Sequence, residues 1–475
     1  MGVNALLSSI RTLSTIIFPL ITYPYITKTL SVSNIGKINF SQSIISYFTL
    51  IAQFGISTFA IRTGARIRDD KIAFEKFAKQ VFTINIISTL VSIILLTFLL
   101  ILPTQLANYR IIIAILSINV ILIPISVDWI YTIYEDFGYI TLRSILVSLL
   151  SLILMFCFVK TNADTYLYVA LITMSTSLGS IFNFIHVHKY VILGTTRRTN
   201  WKKYRTSLFM FFINSVTSTI YLNSDITLLG FMSTNTQVGL YSVATKIYGI
   251  AKQMINAVIA TTIPRLAYIQ KKDEKQFKQL LNNIMNMAIF LVVPLMAGLI
   301  MVRKDVILII STPKYSRATE SLAILSLALF FSVLANILAN GLLVVINKEK
   351  YVVVGTTTSA IVNLLLNFIF IPWWGQNGAA LTTLIAEGVM LGVSAWATKE
   401  YLKDLFDVGE IIRVFVGTII MFLVTNLISV VFNSNIFLNI VETVIVAVVI
   451  YFISMLIMRD KVFISVIKLI KLKLS

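Results

Sequence analysis

Apolar runs of about 20 residues follow one another along nearly the whole chain, and no polar stretch between them is long enough for a soluble domain. A helix of that length matches the roughly 30 Å hydrocarbon core of a bilayer, so length here counts membrane helices rather than soluble domains. Composition agrees. Only 12% of the 475 residues are charged and the mean hydropathy is +0.90, whereas soluble domains carry roughly 25% charged residues. The fold class expected is an all-α polytopic membrane protein.

The runs and their breaks predict fourteen spans, at 5–27, 38–61, 80–102, 110–132, 140–160, 165–187, 206–232, 237–263, 280–302, 319–346, 350–371, 376–398, 411–432 and 437–458. Pro103, Ser233–Thr236 and Gly375–Asn377 are ordinary punctuation between them. Nothing at the start reads as a cleavable signal peptide, since no basic segment precedes the first run and no small-residue cleavage site follows it.

Basic residues alternate between successive loops. Arg62, Arg66, Arg68, Lys71, Lys76 and Lys79 share one loop, and Lys189, Arg197, Arg198, Lys202, Lys203 and Arg205 another. Arg265, Lys271, Lys272, Lys275 and Lys278 follow, then Arg459, Lys461, Lys468, Lys471 and Lys473 in the tail. The intervening loops hold few, the exception being Arg303, Lys304, Lys314 and Arg317. This is the positive-inside pattern, with both termini expected in the cytoplasm. It accounts for most of the +19 net charge. Charge spread over short loops fits anionic headgroups and argues against a nucleic-acid surface.

Scarcity excludes other chemistry. Cys157 stands alone in an apolar run, and His186 and His188 lack the further ligands of a metal site. No P-loop or Gly-rich nucleotide signature is present, which argues against ATP-driven transport by this chain alone. No long loop is available to house a glycosyltransferase or polymerase site.

Two segments read as one hairpin written twice. Ile26–Ser41 and Ile226–Ser242 each run from an apolar helix through a short polar turn into a branched residue followed by Gly (Ile35-Gly36 and Val238-Gly239). An internal repeat in a helical membrane protein points to a two-lobed transporter with its pathway between the lobes.

Polar residues inside the spans carry the informative chemistry. Asn4, Ser8, Arg11 and Thr15 share a helical face in the first span; Asn39, Gln42, Ser46, Thr49, Gln53 and Ser57 form a stripe along the second. Asn214, Thr217, Tyr221 and Asp225 lie in the seventh, and Tyr241, Thr245, Tyr248, Lys252 and Asn256 in the eighth, with Lys246 nearby. Asn336, Asn340, Asn363, Asn367 and Glu387 follow. Isolated Ser, Thr and Asn commonly hold helices together, at roughly 0.6 kcal/mol per contact. That explanation fits Arg11, Asp225, Lys252 and Glu387 poorly, because an ionised side chain near mid-membrane costs about 2.5–3.5 kcal/mol. A hydrated cavity removes the cost, and hydroxyl and amide stripes with cations suit a sugar-bearing anionic ligand better than a hydrophobic drug.

Three segments, in order along the chain, carry a family resemblance. Asp128-Trp129 with Glu135, Tyr139-Ile140 and Arg143 resembles a segment of bacterial polysaccharide-repeat flippases. Asp225–Gly230 with Val238–Ile247, including Lys246, is similar to their central hairpin. Asn363, Asn367, Pro372, Gly375 and Gly378, ending near Glu387, resemble a signature of the wider multidrug/oligosaccharidyl-lipid/polysaccharide (MOP) exporter superfamily. The first segment departs from the family in having Ile130–Tyr134 where aromatics and a Gly often precede the Glu.

The resemblance implies a flippase moving undecaprenyl-diphosphate-linked oligosaccharide repeat units from the cytoplasmic to the outer leaflet of a bacterial plasma membrane, for capsule, exopolysaccharide or O-antigen. It implies six-helix lobes at 1–196 and 203–400, rocking around a central cavity, with peripheral helices at 409–458 and a basic tail at 459–475. No cofactor is expected beyond Na⁺ or H⁺ as coupling ion; membrane lipids and polymerase machinery are the expected partners, and nucleic acid is not. Arg11, Asn39, Gln42, Gln53, Tyr248, Lys252 and Asn256 are the expected substrate contacts, with Arg11 and Lys252 on the diphosphate. Asp225, then Glu387, are the expected coupling carboxylates. The alternatives are a multidrug exporter, a peptidoglycan-precursor flippase, or a membrane-embedded polymerase or ligase.

Overall fold

The computed structural model describes residues 2–103, 105–270, 272–402, 408–429 and 435–464. Every regular element among them is helical. The chain divides into two compact units, Met1–Gly239 and Leu240–Ser475.

The first unit contains α1 (Gly2–Thr29), α2 (Val32–Gln53), α3 (Ile56–Gly64), α4 (Lys71–Ile101), α5 (Arg110–Ile121), α6 (Ile123–Ser126), α7 (Asp128–Ile133), α8 (Phe137–Phe158), α9 (Thr165–His186) and α10 (Trp201–Met232). It closes with the first turn of α11 (Asn235–Ala260). Side-chain caps start several helices: Ser31 accepts the Asn34 N–H at 3.2 Å, Asp70 that of Ala73 at 3.0 Å and Asp136 that of Tyr139 at 3.2 Å. α2 packs on α4, α5 and α10, while α8 packs on α1 and α9. One face of α4 (Ile87, Leu90, Ile94, Phe98, Ile101) stays exposed at helical spacing, as a lipid-facing stripe requires.

Lipid supplies no hydrophobic force between helices, so close approach depends on small residues. The repeated hairpins show this within the first unit. A Cβ on Gly36 would lie 1.7 Å from the Asn235 carbonyl oxygen, and one on Gly239 would lie 2.2 Å from that of Val32. The Gly that opens the second helix of each hairpin therefore receives backbone from the other copy.

Two expected spans are broken. The run 110–132 bends by 45° between α5 and α6, where Pro124 lacks the N–H that would continue the ladder and Val127 is left-handed (φ 39°). The run 38–61 is interrupted at Phe54 and Gly55, both left-handed, which separates α2 from α3.

The second unit contains the rest of α11, α12 (Ile263–Gln270), α13 (Glu274–Met301), α14 (Arg303–Ile310), α15 (Ala318–Asn336), α16 (Glu349–Trp374), α17 (Gln376–Ala397), α18 (Lys399–Leu402), α19 (Val408–Ser429) and α20 (Ile436–Ile457). α17 packs on both α15 and α16, α13 packs on α15 and α19, and α19 packs on α20. α15 runs into a π-helical segment, Ile337–Leu343, a distortion frequent at functional sites.

Among the described residues, ten helices are long and apolar enough to span a membrane, or eleven with the bent α5–α7 segment. The expected first, seventh and eighth spans correspond to α1, α10 and α11, of 28, 32 and 26 residues. All three are long enough; in α10 and α11 polar residues dilute the apolar runs. The protein is an all-α polytopic membrane protein.

Candidate functional site

Within the first unit, α2, α5, α6, α9 and α10 surround a cavity of about 800 Å³. Its polar lining is Gln42, Ser46, Thr49 and Gln53 from α2, Asn119 from α5, Ser126 from α6, Thr176 and Ser180 from α9, and Asn214, Ser215, Ser218, Thr219 and Asn223 from α10. Among the described residues no charged side chain lines it. The α2 stripe expected from periodicity is thus one wall, and Asn214 belongs to the part of the lining that α10 contributes.

The α5 and α9 contributions were not expected. Asn119 is a single amide in an apolar run and gives no periodic signal; Thr176 and Ser180, spaced four apart, were the available hint. Asn119 Oδ1 accepts from Thr176 at 2.5 Å and from Ser177 at 3.2 Å, which ties α5 to α9 at the cavity. Asn39 lies on α2 outside the lining, its amide donating to the Ile35 carbonyl at 2.8 Å. Asp225 is buried on α10 near Tyr47, also outside the lining. The Arg11 side chain lies outside the described residues.

Asp128 and its neighbours hold the bend beside this cavity. Asp128 Oδ1 accepts from Asn183 Nδ2 at 2.8 Å and lies 3.4 Å from Arg143 Nη2, while Arg143 Nη1 donates to the Gly179 carbonyl at 2.9 Å. Asn183 also donates to the Ser126 carbonyl, so α6, α8 and α9 meet at one carboxylate. Trp129 is buried against Phe74 and Phe77. Glu135 is left-handed (φ 56°) just beyond the end of α7, and it accepts from Arg68 at 3.1 Å. This part of the motif builds the fold, and Asp128, Trp129, Glu135 and Arg143 lie outside the lining of the cavity.

The second unit gathers three of the expected residues at one point. Glu387, 4% exposed on α17, accepts at Oε1 from Lys252 Nζ at 2.8 Å and from Tyr248 at 3.0 Å. Both donors lie on α11 four residues apart, hence on one face. Four residues further, Asn256 Oδ1 accepts from Asn336 at 3.0 Å, and Asn336 Oδ1 from Asn340 at 2.6 Å inside the π-helical segment. One face of α11 therefore carries a continuous polar track. Lys246 lies half-buried outside it, and no ion pair involves it among the described residues.

Asn363 and Asn367 are buried in a ladder with Thr382: Asn367 donates to Asn363 at 3.1 Å and accepts from Thr382 at 2.7 Å. This pins α16 to α17. Pro372 lies in the last turn of α16. Gly375 (φ 54°, ψ −126°) makes the turn between the two helices in a region that a side chain disfavours, and a Cβ on Gly378 would lie 2.2 Å from the Phe370 carbonyl. Among the described residues no cluster of three or more His, Cys, Asp or Glu could hold a metal.

Comparison with known proteins adds three findings. The family described as "Polysaccharide biosynthesis protein" matches residues 1–270. A candidate O-antigen transporter of Escherichia coli (strain K12) is 24% identical over 381 residues, covering 79% of this chain and 91% of its own. Among solved structures, the lipid II flippase MurJ in an inward closed conformation superposes with a TM-score of 0.80 at 19% identity, over 96% of this chain and 100% of its own. An inward-facing multidrug transporter of the MOP superfamily gives 0.59 at 13% identity, over 82% and 98%.

Proposed function

The chain belongs to the polysaccharide biosynthesis protein family, and we propose that it flips undecaprenyl-diphosphate-linked oligosaccharide repeat units from the cytoplasmic to the outer leaflet of a bacterial plasma membrane. The observation that supports this reading is the large cavity of the first unit, whose lining is rich in amides and hydroxyls and, among the described residues, carries no charge. Sugars lose many hydrogen bonds to water on entering a membrane protein, and Gln, Asn, Ser and Thr replace them as both donors and acceptors. A hydrophobic drug would leave most of these amides and hydroxyls without partners. Inward-facing and outward-facing transporters of the same fold support alternating access between lobes at 1–196 and 203–400, and the alternation of basic loops supports cytoplasmic termini. Lys252 supplies a cation for the diphosphate, and an ion gradient drives the cycle in the absence of a nucleotide-binding motif.

The test is the leaflet distribution of lipid-linked repeat units after depletion of the protein. Accumulation on the cytoplasmic side is expected, whereas normal export sinks the reading.

A further inference from the structure

We propose that the first unit holds one anionic phospholipid, an acyl chain seated between α2 and α4 and the headgroup phosphate against the basic segment 197–205. This site goes beyond the flippase reading and stands whatever the polar cavity carries.

The apolar half is a pocket of about 350 Å³, lined by Ile51 and Phe54 of α2, Ile84, Ile87 and Val91 of α4, and Trp201 of α10. Ser88 also lines it, but its hydroxyl donates to the Ala52 carbonyl at 2.6 Å. Hydrocarbon suits such walls, and a sugar does not. Ile87 and Val91 are exposed, Ile87 on the lipid-facing stripe of α4, so a chain enters from the bilayer. The pocket shares no lining residue with the polar cavity. Trp201 bounds it at the start of α10, stacked on Phe54 with the ring centroids 6.2 Å apart and partly exposed. An indole placed this way marks the level where hydrocarbon gives way to headgroups.

The charged half begins at that indole. Arg197, Arg198, Lys202, Lys203 and Arg205 fall in a segment without Asp or Glu. All five are exposed, and among the described residues none of them forms an ion pair. Two hydrogen bonds lay the segment along α4: the Thr196 N–H donates to Thr83 Oγ1 at 2.9 Å and the Asn200 N–H to Gln80 Oε1 at 3.4 Å. Tyr204, buried against Phe59 and Phe77, anchors the start of α10. Arg198 therefore adjoins the lining residue Thr199, and Lys202 adjoins Trp201. Lys202 and Lys203 also stand in the first turn of α10, where the helix dipole disfavours cations and favours an anion.

Cations fixed this close repel one another until an anion arrives. A zwitterionic lipid fills the pocket and leaves them uncompensated; a free phosphate meets them and gains nothing from the pocket. An anionic phospholipid uses both halves. Each Lys or Arg near an anionic headgroup is worth about fivefold in affinity, so the preference over a zwitterionic lipid is large. Separation from the polar cavity suits a resident lipid rather than cargo.

The test places the full-length protein in phosphatidylcholine nanodiscs containing increasing fractions of phosphatidylglycerol with brominated acyl chains, which quench tryptophan on contact. Trp373, Trp374 and Trp396 are exposed and give a background common to all lipids. Above it, wild type is expected to show a saturable component at low phosphatidylglycerol fraction, absent with brominated phosphatidylcholine and absent from Trp201→Phe. Replacing Arg197, Arg198, Lys202 and Lys203 together by Gln, all on the surface, is expected to raise the half-saturating fraction at least about tenfold. Equal quenching by the two lipids overturns the proposal, as does unchanged half-saturation in the fourfold variant or a saturable component that survives Trp201→Phe. Geranylgeranyl diphosphate serves as a competitor standing for polyprenyl cargo. If it abolishes the component at a lower fraction than unbrominated phosphatidylglycerol does, the site belongs to cargo and the phospholipid assignment falls.

Discussion

The two compact units accommodate polar groups among membrane helices in different ways. The first spreads neutral amides and hydroxyls over a wide cavity, where no single group carries much of the interaction. The second concentrates charge, burying a carboxylate against one lysine and one tyrosine and continuing as a narrow track of amides. Neutral hydrogen bonds exchanged with water are worth about 0.5–1.5 kcal/mol each and hardly depend on pH. A buried ion pair is worth little as long as both partners stay, yet losing one leaves an uncompensated charge that costs several times more. Sugar binding in the first unit should thus be additive and tolerant, and the second unit should behave as a switch.

The sharpest way to break this contrast is to remove the ammonium. Lys252→Ala should lower polysaccharide export by roughly ten- to a hundredfold, the range for a lost charge-assisted contact. The measurement is surface polysaccharide per unit of membrane-inserted protein. Normal export at normal protein level would show that the charge in the second unit is not used.

A weaker effect is expected in the neutral cavity. Gln42→Ala removes one amide of the α2 wall, and transport of a glycan lipid into vesicles should fall by roughly two- to tenfold, the value of one or two neutral hydrogen bonds. The pH profile of transport should keep its shape. A shifted profile would mean that the cavity takes part in proton coupling, and the division between the units would fail.

Sequence and structure agree where helical periodicity carries the information. Gln42, Ser46, Thr49 and Gln53 recur at three- and four-residue spacing, so their common face could be read before any fold was known. The all-helical class followed from run length in the same way. Periodicity could not supply partners across the chain. Lys252 and Glu387 were both conspicuous as charges inside spans, one assigned to the substrate and the other to the coupling ion. That they share one hydrogen bond depends on how α11 packs on α17, 135 residues away. Asn119 went unnoticed for a related reason: a lone amide has no period, and its role appears only when α5 meets α9. The bend at Leu122–Val127 falls at Pro124, which lies inside a predicted span and so was a candidate kink before the fold was known, although Pro is common in membrane helices.

The smallest effect concerns how far the charge chemistry of the second unit extends. Asp460, just beyond α20, is fully buried and accepts the Phe463 N–H at 2.9 Å. The neighbouring Glu410 carboxylate on α19 pairs with Arg413 and lies 3.6 Å from Lys461 Nζ, and Tyr451 on α20 is near Asp460. Burial, reinforced by Glu410 against the Phe463 and Val462 N–H donors, pushes the Asp460 carboxyl up to about 6 from its ordinary 3.8. A carboxyl raised on folding holds its proton more tightly in the folded protein, so its stabilising contribution is complete below 3.8 and is lost as pH rises through about 6. Acidification from pH 7.5 to 5.5 should therefore raise the melting temperature of the purified protein, by about one or two degrees for a chain of this size. Asp460→Asn, which can still accept the Phe463 N–H, should raise it at pH 7.5 and remove this part of the dependence. Glu387→Gln should leave the Asp460 component intact, because the two carboxylates have no recorded partner in common. If Asp460→Asn melts with the pH slope of wild type, proton sensitivity in the second unit does not extend to its C-terminal helices, and Lys252–Glu387 is left as the pair that sets the unit apart.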